Sequence, residues 1–306
     1  MVEIAMPDIL TITLNPALDM STTVDRVRPE DKLRCDVPVL DPGGGGINVA
    51  RAVGELGGRA LALVALAGFH GQQLLSELHD EPIVPIAFPI PGETRQSLAV
   101  IDRETGEQYR FVMPGPVWTP DLAQDALTAI DRAMGDGAYV VLSGSQPPGV
   151  PRHFPTDLAA VVEDRHGKLI LDTSGKALNA LLSIGSARQH VLRLDGAESE
   201  ELAGRPLKSI DQVADFAQEL VDRNVAEVVV LALGADGSLL VENGNRWHAV
   251  TERVTVRSKV GAGDSFVGSF TLALSRGAAW EEALVQGVAA ASGAVMNDAT
   301  TLCSRA

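Results

Sequence analysis

Six short apolar runs set the strongest limit on this chain: ILTITL (9–14), LALVAL (61–66), YVVLS (139–143), KLILDT (168–173), HVLRL (190–194) and EVVVLAL (227–233). Their Val, Leu and Ile content reads as strand buried on both faces. Between most of them the pattern turns helical. After GGGGINVARAVGELGG, for example, apolar positions 47, 49, 50, 53 and 56 share one helical face, and Gly57 is placed to close the helix. Strands alternating with helices predict an α/β fold, a doubly wound, mainly parallel sheet with helices on both faces.

Two regions break that rhythm, STTVDRVRPEDKLRCDVPVL (21–40) and RQSLAVIDRETGEQYRFVMPG (95–115). Polar and apolar residues alternate in both, and ETGE signals a hairpin, so they predict a small, half-exposed β-sheet able to act as a lid. A further hairpin is expected over SLLVENGNRWHAV (238–250), turning at Asn243-Gly244-Asn245. From Asp264 onward the chain reads as helices rich in small residues and therefore closely packed.

The 306 residues are 45% hydrophobic and 21% charged, enough for a large core, and length alone fits one large domain or two. A net charge of −15 argues against nucleic-acid or anionic-membrane partners, so any phosphorylated substrate would need a local basic pocket. Cys35 and Cys303 form no metal spacing and suit a reducing compartment. No signal-like leader and no bilayer-length apolar run is present, which makes a cytoplasmic location the expectation.

Four motifs point to chemistry. GAGD (261–264) puts two glycines and a carboxylate at a helix start, where unpaired amides and the helix dipole favour an anion and where Asp264 could take a proton from an attacking hydroxyl. The same residues equally fit a turn with Asp264 as a plain helix cap. GGGGIN (43–48) suits a loop whose backbone touches a ligand, yet lacks the Lys-Ser/Thr ending of a P-loop and the spacing of a dinucleotide fingerprint. LGADG (233–237) puts Gly234 and Gly237 after a strong strand, the usual ligand edge of such a sheet. Asp172, Asp195 and Glu198 follow successive strands and could hold Mg²⁺ directly or through water, or simply be solvated acids in a chain with 40 of them.

In order along the chain, NPALD (15–19), GGGGIN (43–48), TRQS (94–97), SGSQPPG (143–149), LGADG (233–237) and GAGD (261–264) resemble the ribokinase-like (PfkB) sugar kinase family. PEDKLRC (29–35), DPGGGGINVARA (41–52) and GEQYRFVMPG (106–115) are most similar to its bacterial type 2 ATP-dependent 6-phosphofructokinase branch. The resemblance implies a single kinase domain over 1–306 with lid segments at about 20–40 and 95–113. It implies Mg-ATP as phosphoryl donor, fructose 6-phosphate as acceptor at its C1 hydroxyl, a K⁺ site, and a homodimer formed through the β lid.

It also assigns roles. Asp264 becomes the catalytic base, with Gly261, Ala262 and Gly263 forming the anion hole. Asp19, Gly44, Gly45 and Asn48 fall to sugar hydroxyls, Arg95 and Lys32 to the 6-phosphate, with Ser145 nearby. Arg193, Gly234, Gly237 and Asn297 fall to the nucleotide, and Ser258, Val260, Ala294 and Asn297 to K⁺. Several positions depart from the family pattern. Arg193-Leu194-Asp195 stands where Lys-Pro-Asn is usual, Ala232 where a hydroxyl is usual, and Ala299 and Thr301 replace a Gly and an Arg of the cation loop. Those departures keep open a catalytically weakened relative that binds sugar phosphate or nucleotide. A 1-phosphofructokinase or tagatose-6-phosphate kinase is a closer rival, although those relatives tend to carry Lys at the position of Gly45.

Overall fold

The computed structural model describes residues 8–182, 188–297 and 301–304. The first half runs β1 (Ile9–Thr13), β2 (Ala17–Val24), β3 (Val39–Gly43), α1 (Gly45–Glu55), β4 (Leu61–Leu66), α2 (Gly68–Leu78), β5 (Val84–Pro89), β6 (Arg95–Asp102) and β7 (Gln108–Val112). The second runs α3 (Pro120–Ala133), β8 (Tyr139–Ser143), α4 (Phe154–Asp164), β9 (Lys168–Asp172), α5 (Lys176–Leu181), β10 (Gln189–Leu194), α6 (Gly196–Ala203), α7 (Ile210–Asp222), β11 (Ala226–Ala232), β12 (Ser238–Glu242), β13 (Asn245–Ala249), α8 (Ala262–Ser275) and α9 (Trp280–Val295).

Nine strands form the main sheet in the order β13-β12-β11-β10-β9-β8-β1-β4-β5. Pairing is parallel from β11 through β5, and β12 and β13 add an antiparallel end. Period-two alternation sends successive side chains into separate cores. Leu10, Ile12, Val140, Leu142, Leu169 and Leu171 join one core with α3, α4 and α7. Ile9, Tyr139, Val141 and Ile170 join the other, with α1, α2, α8 and α9. Both faces are therefore covered, as the continuous apolar runs require.

The six expected strands correspond to β1, β4, β8, β9, β10 and β11. β5 escaped the pattern because Pro85 and Pro89 disguise it, and prolines are tolerated there because β5 is an edge strand. The second sheet, in the order β3-β2-β6-β7, is the expected small sheet, and β6 and β7 turn at Glu104-Thr105-Gly106 as ETGE predicted. The stretch 21–40, expected to be β, is strand only at its two ends. Between them Pro29 and Pro38 interrupt pairing, and the segment folds back on β2 through Asp36 N–H to Thr23 O and Thr22 Oγ1 to Asp36 O, each 3.0 Å. The hairpin at Asn243 and Gly244 has φ of 43° and 86°, the two left-handed residues of a tight two-residue turn.

The chain leaves β1 for β4 on one side and continues through β8, β9, β10 and β11 on the other, so the winding direction changes beside β1. The crevice at the carboxyl ends of these strands is where a doubly wound sheet binds ligands. One close contact fixes two helices across it. A Cβ on Gly268 of α8 would stand 2.7 Å from Ala52 Cβ and 2.9 Å from Val49 O, so α8 lies directly on α1. Phe270 and Ile47, at most 1% exposed, help seal that contact, each contributing about 1.5–3 kcal/mol by burial.

Candidate active site

The α1–α8 contact brings Asn48 to Asp264. Asn48 Nδ2 donates to Asp264 Oδ2 at 2.9 Å across 216 residues of sequence. Asp264 is the third residue of α8, whose N-cap is Gly261 at φ 76°, with no side chain bonded to the first-turn amides. The plain helix-cap reading of Asp264 therefore does not hold, and the amides of the tip remain available to an anion. Burial, reinforced by the nearby Asp172 carboxylate, pushes Asp264 up to about 7, against the pull of Asn48 and Arg193. A carboxylate poised there is matched to general-base work near neutral pH.

Gly44, at φ 141°, is the N-cap of α1. Gly45 lies against the β8 turn, where a Cβ would collide with Ser143 Oγ and stand 2.7 Å from Gly144 N. Asp19 packs its carboxylate against Gly43, and burial raises it while Arg95 and Ser97 oppose the shift. Arg95 Nε and Nη2 both donate to Asn15 O at 3.2 Å, and Asn15 Nδ2 donates to Ser145 Oγ at 3.0 Å. Asp19, Gly44, Gly45, Asn48, Arg95 and Ser145 thus lie on one connected rim at the ends of β1, β2, β6 and β8. Lys32 is exposed on the excursion between β2 and β3, and among the described residues no contact joins it to Arg95.

On the other side of Asp264, a cleft of about 1170 Å³ is lined by Arg193, Asp195, Gly234, Gly237, Lys259 and Gly263. Arg193 Nη1 donates to Asp172 Oδ1 at 3.0 Å, and Asp172 Oδ2 accepts from Ser143 Oγ at 3.0 Å. The guanidinium lies under the helix tip, 3.2 Å from where a Cβ on Gly263 would be. Asp195 and Glu198 spend their carboxylates on α6. Asp195 Oδ1 accepts from Glu198 N–H at 2.9 Å and Glu198 Oε2 from Asp195 N–H at 2.8 Å. Glu198 is pushed up to about 7, chiefly by burial.

The three carboxylates expected to hold Mg²⁺ are therefore not a ready ligand set. Among the described residues no group of three His, Cys, Asp or Glu side chains could hold a metal ion. The physical reason is that Asp172 is neutralised by Arg193 and the other two are engaged by backbone amides. A hydrated ion carried by nucleotide phosphates fits this donor set, and a cage of direct protein ligands does not.

The four positions expected at the cation loop cluster beside the start of α8. Ser258 Oγ accepts from Val260 N–H at 3.1 Å, Ser258 N–H reaches Val295 O at 3.3 Å, and Asn297 N–H bonds Ala294 O at 3.0 Å. Asn297 does not line the cleft, and its amide donates to Leu302 O at 2.8 Å. Ala299 falls outside the described residues, and Thr301 is exposed.

Asn15, Ser143 and Lys259 were not singled out from the sequence. Asn15 opens NPALD and Ser143 opens SGSQPPG, so both were within reach of the motifs. Their partners Ser145, Arg95 and Asp172 lie between 29 and 130 residues away.

A family model described as pfkB family carbohydrate kinase matches residues 9–306. The ATP-dependent 6-phosphofructokinase isozyme 2 of Escherichia coli K12 is 42% identical over 302 residues, covering 98% of this chain and 96% of that protein. The crystal structure of phosphofructokinase-2 from Escherichia coli in complex with potassium matches with a TM-score of 0.91 at 42% identity, over 98% of this chain and 96% of the other. The phosphofructokinase-2 structure from the same organism in complex with fructose-6-phosphate gives 0.88 at 40% identity, again over 98% and 96%. With a matching family model over nearly its full length and a relative of this identity, the chain belongs to the pfkB family of carbohydrate kinases.

Proposed function

We infer that this chain is an ATP-dependent 6-phosphofructokinase, transferring the γ-phosphoryl group of ATP to the C1 hydroxyl of fructose 6-phosphate and releasing ADP and fructose 1,6-bisphosphate. One observation carries the reading: an uncapped helix tip with a desolvated carboxylate on its first turn lies between a glycine-rich rim and an elongated cleft.

Asp264 accepts the C1 hydroxyl proton as that oxygen bonds to the γ-phosphorus, while the bond from phosphorus to the β,γ-bridging oxygen breaks and that oxygen leaves with its electron pair on ADP. The first-turn amides at Gly261, Ala262 and Gly263 offset charge on the moving group. Asp19, Gly44, Gly45 and Asn48 meet sugar hydroxyls, and Arg95 meets the 6-phosphate, with Lys32 supplied from the lid. Arg193, Gly234 and Gly237 border the nucleotide. Mg²⁺ supplies charge neutralisation for the phosphates when bound, and Asp195 and Glu198 would hold it through water.

Residues 1–306 act as one kinase domain whose lid segments, about 20–40 and 95–113, exclude water. The lid leaves Val39, Phe111 and Val112 more than half exposed, which supports a second copy covering it. K⁺ falls to Ser258, Val260, Ala294 and Asn297, in a loop where Ala299 and Thr301 depart from the family pattern. No described helix is long and apolar enough to cross a membrane, and the thiols of Cys35 and Cys303 are unpaired, which suits a cytoplasmic setting.

Gly45 weighs against the rival sugar phosphates. A lysine there would drive its Cβ into Ser143 and the Gly144 backbone, so the lysine-bearing loop does not fit this rim. A coupled kinase assay offering fructose 6-phosphate, fructose 1-phosphate and tagatose 6-phosphate, with and without K⁺, is expected to show a preference for the first. Faster turnover of either rival, or no turnover of any, overturns the reading.

A further inference from the structure

We propose that Arg51 is a positioning residue for the transfer step, turning the Asn48 amide so that its NH₂ end faces the Asp264 carboxylate; the proposal rests on the function inferred above. Asn48 sits between two demanding partners. Its Nδ2 lies 2.9 Å from Asp264 Oδ2, and its Oδ1 lies 3.5 Å from Arg51 Nη1. An amide has one accepting end and one donating end, a guanidinium only donates, and an ionised carboxylate only accepts. One orientation therefore satisfies both neighbours. The flipped amide would set its NH₂ against the guanidinium and its oxygen against the carboxylate, two repulsions in place of two bonds.

Arg51 stands one helical turn beyond Asn48 on α1, on the same face. It is itself held in place, because Arg51 Nε donates to Glu81 Oε2 at 2.7 Å and the two side chains are only 15% and 21% exposed. The Asp41 carboxylate is close enough to feel both charges. Glu81 is set beside α1 by the neighbouring Pro82, which packs on the next turn of that helix. A Cβ on Gly54 would collide with Pro82 O and stand 2.9 Å from Pro82 Cβ. The result is a chain of contacts, Glu81 to Arg51 to Asn48 to Asp264, running from a loop after α2 to the first turn of α8. Of these residues Arg51 and Glu81 are bonded to the relay and not to Asp264.

A double-mutant cycle tests this directly. Arg51→Met, Asn48→Ala and the double variant are assayed for ATP-dependent phosphorylation of fructose 6-phosphate. Arg51→Met is expected to lower kcat about 10- to 100-fold with KM for ATP unchanged. The double variant is expected to be no slower than Asn48→Ala alone, because Arg51 acts through the amide that Asn48→Ala has already removed. Losses that multiply, or an Arg51→Met enzyme with wild-type kcat, overturn the proposal. If Arg51→Met fails to fold, Glu81→Gln takes its place in the cycle, with a smaller kcat loss and the same non-additivity expected. An inactive wild-type protein would overturn the inferred function and this proposal together, whereas an active wild type with multiplying losses overturns this proposal alone.

Discussion

Two helix tips border the same cleft and are built in opposite ways. At α6, Asp195 is the N-cap and Glu198 the third residue, and their side chains close a reciprocal pair of bonds on the backbone. At α8 the N-cap is Gly261, the third residue is Asp264, and no side chain caps the turn. Both sequences put a carboxylate beside glycine at a helix start, so the residue types alone do not distinguish them. The difference is position. A carboxylate at the N-cap takes up the third-residue amide, whereas one at the third position, drawn away by Asn48, leaves the first-turn amides without it and is desolvated beside them. The α6 tip closes on its own side chains, whereas among the described residues no side chain closes the α8 tip, the geometry that supports an anion there.

The strongest way to break this contrast is Asp264→Asn, which keeps the shape and removes the base. It is expected to lower kcat by about 10²–10⁴-fold in the coupled assay. The same substitution should stabilise the fold in a pH-dependent way. Asp264 is pushed up from the usual carboxylate range to about 7 in the folded chain, so the folded state binds the proton more tightly than the unfolded state. That contribution is fully present below the ordinary carboxylate range and is lost as pH rises through about 7. At pH 8 the native state holds a desolvated charge that Asn lacks, and Asp264→Asn should melt about 2–4 °C higher than wild type. At pH 5 the gap should shrink. Calorimetry at both pH values checks the sign, and a lower Tm at pH 8 would mean that Asn48 and Arg193 already offset the desolvation.

Next in size is Gly261→Ala. Its left-handed φ of 76° costs a non-glycine residue about 1–2 kcal/mol, and the new Cβ would stand 2.6 Å from Leu302 Cδ2. Thermal unfolding should report that loss, and kcat should fall with it because the tip is displaced from the rim. A variant that loses stability and retains full kcat would show that the tip's placement does not limit transfer.

What the sequence discloses follows from how local each cause is. The apolar runs at 61–66 and 227–233 report strands because burial on both faces is a property of each segment alone. The turns at Gly106 and Gly244 are legible because left-handed backbone needs glycine nearby. β5 is not, since its prolines are allowed only by an edge position that depends on the whole sheet order. The excursion between β2 and β3 is hidden for a related reason: its alternating residues suit a strand, yet Asp36 folds it back onto Thr22 and Thr23 of β2 instead. At the site, Asp264 and the glycine loop stand out in their motifs. The Arg193–Asp172 pair and the Asp195–Glu198 box change what the carboxylates can do, and those partnerships appear only when strand ends meet.

The smallest effect, and the one that sharpens the contrast most, concerns Asp195. Asp195→Ala removes the cap and should cost about 1 kcal/mol, read as a lower Tm. Asp195→Asn should leave Tm close to wild type, because an amide oxygen accepts from Glu198 N–H as a carboxylate does. It also removes a carboxylate that would hold the Mg²⁺ of the nucleotide through water, in a cleft lined as well by Glu200, Asp236 and Glu252, so KM for Mg-ATP should rise slightly, by roughly twofold. Together the pair of variants separates the two uses of one side chain. If Asp195→Asn kept its Tm but raised KM for Mg-ATP tenfold, the carboxylate would be serving the cation that accompanies the nucleotide more than it serves the helix. The two tips would then differ in which part of Mg-ATP each one meets, the cation at α6 and the moving phosphoryl group at α8.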